Sequence, residues 1–239
     1  MDRSALAGRR VVLTQQRASR LAERLEIHGA TVDRVRLTDV AEPQDSGIAL
    51  ADALDRLGEF DWLVVTSVNG AQRVGDAARR CRSVRLGSVG VATADVLAEL
   101  AGRPVDLVPA VQRVEGLLAE FPTERSKVLV AQGDLATPAL VVGLRQRGHV
   151  VTAVEAYRTV PRPLSDSELR RMQGADVVVL ASGSAAIAFA RTGGASGAVV
   201  AIGPVTAEAA RDAGLVVAST AASPADVDVI DAIAATLGH

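Results

Sequence analysis

FDWLVVTSVNGAQRV (60–74) and ADVVVLASGSAAIAF (175–189) are two copies of one pattern. Each has a short Val/Leu run, a turn with serine, and an amphipathic stretch. The runs LVVT and VVVL are continuously apolar, as strands buried on both faces of a parallel sheet are. Working outward, the repetition extends. GVATADVLAELA (90–101) returns as GPVTAEAARDAG (203–214). RVVLTQQRASRLAERLEIHGATV (10–32) returns, with two extra residues, as KVLVAQGDLATPALVVGLRQRGHVV (127–151). The offsets all lie between 113 and 119 residues. A repeated α/β unit predicts two similar lobes, with a cleft between them as the place for a small-molecule site.

The same alternation runs along the chain. It predicts strands over 10–14, 31–37, 61–66, 86–92, 105–108, 127–131, 149–156, 176–181, 198–202 and 215–219. Helices are predicted over 17–28, 48–57, 68–80, 93–101, 114–121, 135–147, 165–172, 183–191, 204–213 and 224–236. This order calls for parallel sheets with helices on both faces. Gly29, Gly148 and Gly214 suit left-handed helix ends, Pro204 a first helical position, and Ser67 and Thr93 N-caps. TDVAEPQDSG (38–47) and YRTVPRPLSD (157–166) break the rhythm. They read as extended, proline-marked linkers at equivalent points of the two copies.

Composition narrows the function. The chain has 239 residues, enough for two domains of ~100–120 residues, and 49% of them are apolar. Aromatics number only five, so the cores are aliphatic. A net charge of −2 argues against a general nucleic-acid binder. Of 26 basic residues only Lys127 is lysine, which reads as coding bias before chemistry. Cys81 is the single cysteine, so no disulfide framework or CxxC metal site exists. MDRSALAGRR lacks an apolar signal core, and no apolar run reaches ~18 residues. The expectation is a cytoplasmic protein without membrane contact.

Small polar residues gather where the predicted strands end. They are Thr14, the TSVNG turn with Ser67 and Asn69, and the GVAT turn with Thr93. The AQGD turn with Gly133, the ASGS turn with Ser182, and the IGPVT turn with Gly203 and Thr206 complete the set. In open parallel sheets, ligands bind beyond the carboxyl ends of strands. Helix N-termini there favour carboxylates and phosphates. A Ser or Thr after a strand is most often a helix cap and no more, but six such turns ordered by a repeat carry weight together. None is a GxxxxGK[ST] or GxGxxG loop, so no nucleotide cofactor is indicated. His28, His149 and His239 have no partner at metal spacing. No GxSxG elbow occurs. Tyr157 is the only tyrosine. It stands where a strand enters the second linker, either as packing at a junction or as a proton donor. Trp62, at a strand start, reads as core.

Taken together, DWLVVTSVNG (61–70), VGVATADVL (89–97), LLAEF (117–121), KVLVAQGD (127–134), VEAYRTVP (154–161), VVLASGSAAIAF (178–189) and AIGPVTAEAARDAGL (201–215) resemble the uroporphyrinogen-III synthase family. The opening VVLT strand and its Arg-bearing helix start add to the likeness, which covers nearly the whole chain. The resemblance implies two flavodoxin-like parallel-sheet α/β domains joined by a two-strand extended linker, with a cleft between them. It places one domain at 1–38 plus 162–239 and an inserted one at 42–157, with linkers near 38–42 and 157–162 that permit hinge motion. It implies cyclisation of hydroxymethylbilane to uroporphyrinogen III with inversion of ring D, without metal or organic cofactor. Tyr157 is implied as the group assisting loss of the hydroxyl. Ser67, Thr93, Ser182 and Thr206 are implied to lie near the substrate. The family often has Thr-Arg-Pro after the first strand. Here Thr14-Gln15-Gln16 stands there, with Arg17 one place later as the candidate contact. Val205 stands where some members carry another threonine. A monomer is expected, with room for transient contact with the enzyme that delivers the substrate. The competing reading is a non-catalytic two-lobed binding protein or sensor. A sugar-phosphate enzyme on paired α/β domains fits less well, since no phosphate loop is present.

Overall fold

Trp62 and Val64 point to one side of their strand, Leu63 and Val65 to the other, and all four are buried. The same holds at Val177 to Leu180, where alternate residues enter two different cores. A continuously apolar run is therefore a strand covered by helices on both faces. Each such Val or Leu contributes roughly 1.5–3 kcal/mol by leaving water.

The computed structural model describes residues 6–14, 20–194 and 197–238. In chain order the first elements are β1 (Arg10–Leu13), α1 (Arg20–Ile27), β2 (Thr31–Arg34), β3 (Thr38–Ala41) and α2 (Ile48–Asp55). A short 3-10 turn, Leu57–Glu59, leads to β4 (Trp62–Val65), α3 (Val68–Arg80), β5 (Arg85–Ser88), α4 (Val91–Ala101) and α5 (Val114–Glu120). Next come β6 (Lys127–Gly133), α6 (Ala139–Gln146), β7 (Val150–Pro161) and α7 (Asp166–Gln173). The chain closes with β8 (Val177–Leu180), α8 (Gly183–Ala190), β9 (Ala198–Ala201), α9 (Pro204–Asp212), β10 (Val217–Thr220) and α10 (Asp226–Leu237).

Two compact units result, one from 1–39 with 160–239 and one from 40–159. In the discontinuous unit the sheet order is β10-β9-β8-β1-β2, all parallel. Numbered within the unit, that is the doubly wound order 2-1-3-4-5. In the inserted unit the order is β3-β7-β6-β4-β5, with β4 to β7 all parallel. The sequence repeat makes β6 and β7 the counterparts of β1 and β2, and β4 and β5 those of β8 and β9. Yet β1 pairs with β8, and β6 with β4. Each unit thus joins the opening strands of one repeat copy to the later strands of the other.

Some expectations change. The 105–108 stretch is no strand: only Leu107 bridges to Gly87, because Pro104 and Pro109 cut the run short and offer no N–H to a ladder. Residues 38–41 and 157–161, expected as a two-strand extended linker, are β3 and the end of β7, extended neighbours that belong to the second sheet. β2 stops at Arg34, short of 37. α4 begins at Val91, so Thr93 is inside the helix and Gly90 is its N-cap. Helix ends agree better: Gly29, Gly148 and Gly214 have φ of 89°, 91° and 84°, which only glycine adopts without strain. Pro204 opens α9.

Candidate functional site

The winding of the chain reverses across each sheet between two particular strands. In the discontinuous unit these are β1 and β8; in the inserted unit they are β6 and β4. The crevice beyond such a switch point is where an open α/β sheet binds ligands.

At the first switch point Thr14 follows β1 and is buried. Its Oγ1 donates to Val179 O at 2.9 Å and accepts from Ala181 N at 3.0 Å. This hydroxyl ties the end of β1 to the turn carrying Ser182. Ser182 caps α8, its Oγ accepting from Ala185 N at 3.1 Å and lying 3.0 Å from Ser184 Oγ. On the next strand Gly203 caps α9 through extended backbone, without a side-chain acceptor. Thr206 is buried in the first turn of α9, and Val205 beside it is 79% exposed. Arg17 lies outside the described residues.

The second switch point repeats this plan. Ser67 caps α3, its Oγ accepting from Gly70 N at 3.1 Å. A Cβ on Gly70 would meet Val65 Cγ1 at 3.0 Å and Ala131 O at 3.4 Å. Glycine therefore lets the turn lie against the end of β6. Asn69, the second residue of α3, is partly exposed. Thr93 is buried in α4, as Thr206 is in α9. The start of α4 is held by a distant side chain, with Val91 N donating to Gln112 Oε1 at 3.0 Å.

Here the units part ways. β6 runs on to Gly133, and β7 reaches Pro161. Gln132 faces Glu155, but Gly133 faces Tyr157, so Ala156 is an extra residue on β7. Such a bulge re-aims the following side chain. Strict alternation would send Tyr157 away from Val154 and Ala156, yet all three share one core cluster. Tyr157 is 9% exposed. A Cβ on Gly133 would lie 2.7 Å from its Cζ and 2.8 Å from its Oη, so the phenol rests directly on the glycine. Asp134 then fastens the backbone, its N donating to Tyr157 O at 3.1 Å and its Oδ1 accepting from Thr159 N at 2.9 Å. Thus Gly133 and Tyr157 are brought together, as are Thr14 and Ser182. Asp134 was visible as a residue type in the AQGD turn, but its partner lies 25 residues on. Gln132, whose Oε1 is buried without a partner, was likewise unmarked.

Other singled-out residues lie at the opposite ends of the strands. Trp62 opens β4, with its ring 5.1 Å from Phe121 and the Arg85 guanidinium 4.5 Å above it. His149 stands edge-on to Phe121 at 5.1 Å, with both ring nitrogens buried. Burial, then the charge of Arg147, pushes its pKa below the ordinary value. Cys81 is half-buried at the end of α3. Among the described residues no group of three or more His, Cys, Asp or Glu could hold a metal ion. Among them, too, no helix is long and apolar enough to cross a membrane.

The fold and these turns have relatives. The HEM4 family model, uroporphyrinogen-III synthase HemD, matches residues 19–231. A uroporphyrinogen-III synthase of Synechococcus elongatus is 27% identical over 186 residues, covering 71% of this chain and 68% of its own length. Among solved structures, uroporphyrinogen-III synthetase from Helicobacter pylori 26695 superposes with a TM-score of 0.69 at 17% identity. That match covers 96% of this chain and 99% of the other. A mutant uroporphyrinogen III synthase from the extremely thermophilic bacterium Thermus thermophilus gives 0.61 at 19% identity, covering 97% and 99%. At such identities the structures speak for the fold alone.

Proposed function

Since the chain belongs to the uroporphyrinogen-III synthase family, we propose how its own residues carry out that family's reaction. The protein is a cyclising lyase that converts the linear tetrapyrrole hydroxymethylbilane to uroporphyrinogen III. Water leaves the hydroxymethyl group on ring A and an azafulvene cation forms. Ring D attacks through its substituted carbon to give a spiro-pyrrolenine, which fragments and recloses with ring D reversed.

Reactivity resides in the substrate, which closes unaided to the uninverted type I isomer. The protein's task is therefore orientation, with help at the step where the hydroxyl departs. Tyr157 supplies that help. Its phenol donates a proton as the C–O bond breaks, so that water leaves. The balance closes when the ring-D carbon forming the last bond gives up its hydrogen. The observation that supports this role is the seat of the phenol on Gly133, turned there by a bulge at the end of β6, one of the two strands that flank the switch point. The substrate carries eight carboxylates. In each unit the donors suited to them stand where strands end: the amides of the turns after β4, β6, β8 and β9, with Ser67, Asn69, Gly133, Ser182 and Gly203. Thr14, Thr93 and Thr206 stand behind them as buried hydroxyls. Arg17 is proposed as a further carboxylate partner.

The test is a product assay with fresh hydroxymethylbilane, resolving the oxidised isomers. Type III in excess over type I is expected, and type I alone would refute the activity. Tyr157→Phe should slow type III formation by roughly 10–1000-fold, and an unchanged rate would return Tyr157 to packing.

A further inference from the structure

We propose that Asp134 is a positioning residue for Tyr157, acting through the β7 backbone; this rests on the reading of Tyr157 as the group that assists hydroxyl loss. β6 ends at Gly133, so beyond that point β7 loses the neighbour that would continue its ladder on that side. Asp134 substitutes for the missing strand. Its main-chain N–H holds Tyr157 O at 3.1 Å, and its side-chain Oδ1 receives Thr159 N at 2.9 Å. One residue thus grips β7 on both sides of Arg158. Arg158 Nε donates to Glu42 O at 3.0 Å, so a second anchor holds the residue between.

The grip matters because of the bulge just before it. A bulged residue has no ladder partner, and the strand next to it can slide by one position, which turns side chains to the other face. Glu155 is in register with Gln132, and Ala156 is skipped. Without the Oδ1 clasp beyond Tyr157, only the Asp134 main-chain N–H would hold Gly133 and Tyr157 in register on the β6 side. The phenol would then leave its seat on Gly133. Asp134 is exposed, so its carboxylate adds no packing to the core, and its replacement is expected to leave the fold intact. Its effect therefore falls on the aim of the phenol, and a misplacement of about 1 Å costs on the order of 100-fold at most.

The experiment measures kcat, KM and isomer ratio for Asp134→Ala, Asp134→Asn, Tyr157→Phe and the double variant Asp134→Ala/Tyr157→Phe, beside thermal melting of each. Asp134→Ala should lower kcat for type III by about 10-fold, with KM within about 2-fold and the melting curve unmoved. Asp134→Asn keeps the Oδ1 acceptor and should restore the rate to within about 2-fold. The double variant should be no slower than Tyr157→Phe alone, since a positioning residue has nothing left to position. A wild-type rate for Asp134→Ala beside a slow Tyr157→Phe overturns the positioning role alone. So does a loss that multiplies undiminished in the double variant. A wild-type rate for Tyr157→Phe overturns the reading of the tyrosine itself, and the positioning role with it.

Discussion

Ser67 and Ser182 do the same thing in the two units. Each ends a buried strand in extended backbone, and each accepts an amide three residues on at 3.1 Å. Thr93 and Thr206 are likewise matched, each buried inside a helix whose N-cap is glycine. The units differ at the partner strand. β1 stops at Leu13 and is fastened sideways by the Thr14 hydroxyl, whereas β6 continues to Gly133 and is fastened to a twelve-residue β7. The duplicated parts set serine-capped helix N-termini at the ends of strands. The parts that differ hold Tyr157, the proposed proton donor. The repeat accounts for the frame, and the departure from it for the seat of Tyr157 on Gly133.

That contrast can be broken at the level of stability. Thr14→Val keeps the side chain's shape but leaves the Ala181 amide without its acceptor, and should cost about 2 kcal/mol. The loss belongs to the discontinuous unit. Far-UV circular dichroism should therefore register it while fluorescence of Trp62, the single tryptophan, reports the inserted unit unchanged. Coincident shifts in both signals would contradict the separation. Ser67→Ala and Ser182→Ala should each cost about 1 kcal/mol, and denaturant midpoints should show the two to be alike. A several-fold difference would mean the matched caps are not matched.

Acid offers the finest comparison, because each unit carries its own sensitive group. His149 sits in the inserted unit with its pKa lowered from 6.5 by burial and by Arg147. The unfolded chain takes up that proton first. Its contribution is therefore complete above 6.5 and declines as pH falls toward the depressed value. Glu168, in the discontinuous unit, is held at about 2 by the Ser165 amide and by Arg162. It is the return half of a capping box on α7. Its contribution persists down to the ordinary 4.5 and fades only from there toward 2. Urea midpoints between pH 8 and 5 should fall for Trp62 fluorescence, and His149→Leu should flatten that slope. Between pH 5 and 3, Glu168→Gln should flatten the circular-dichroism slope instead.

Most of the frame was legible from residues alone. Val/Leu runs marked strands because both faces are buried, and glycines after amphipathic stretches marked helix ends. Ser67 was legible as a cap, because the signal for a cap is local. Thr93 was misjudged because the start of α4 is secured by Gln112, 21 residues away, and no local pattern reveals it. The stretch VDLV (105–108) has strand composition, yet flanking prolines leave it one bridge. The seat of Tyr157 was hidden for a related reason. A bulge is a mismatch between two strands, and neither strand spells it out by itself.

The crossed pairing of β1 with β8 has a consequence in time. Thr14 meets Val179 across 165 residues of chain. At the ~5–20 residues per second of synthesis, β1 and β2 wait roughly 8–33 s for the strand that covers them. The inserted unit is complete by residue 159, while they wait. The newborn protein therefore assembles inside out: the segment made first is finished last, with apolar β1 lacking its β8 neighbour in that interval.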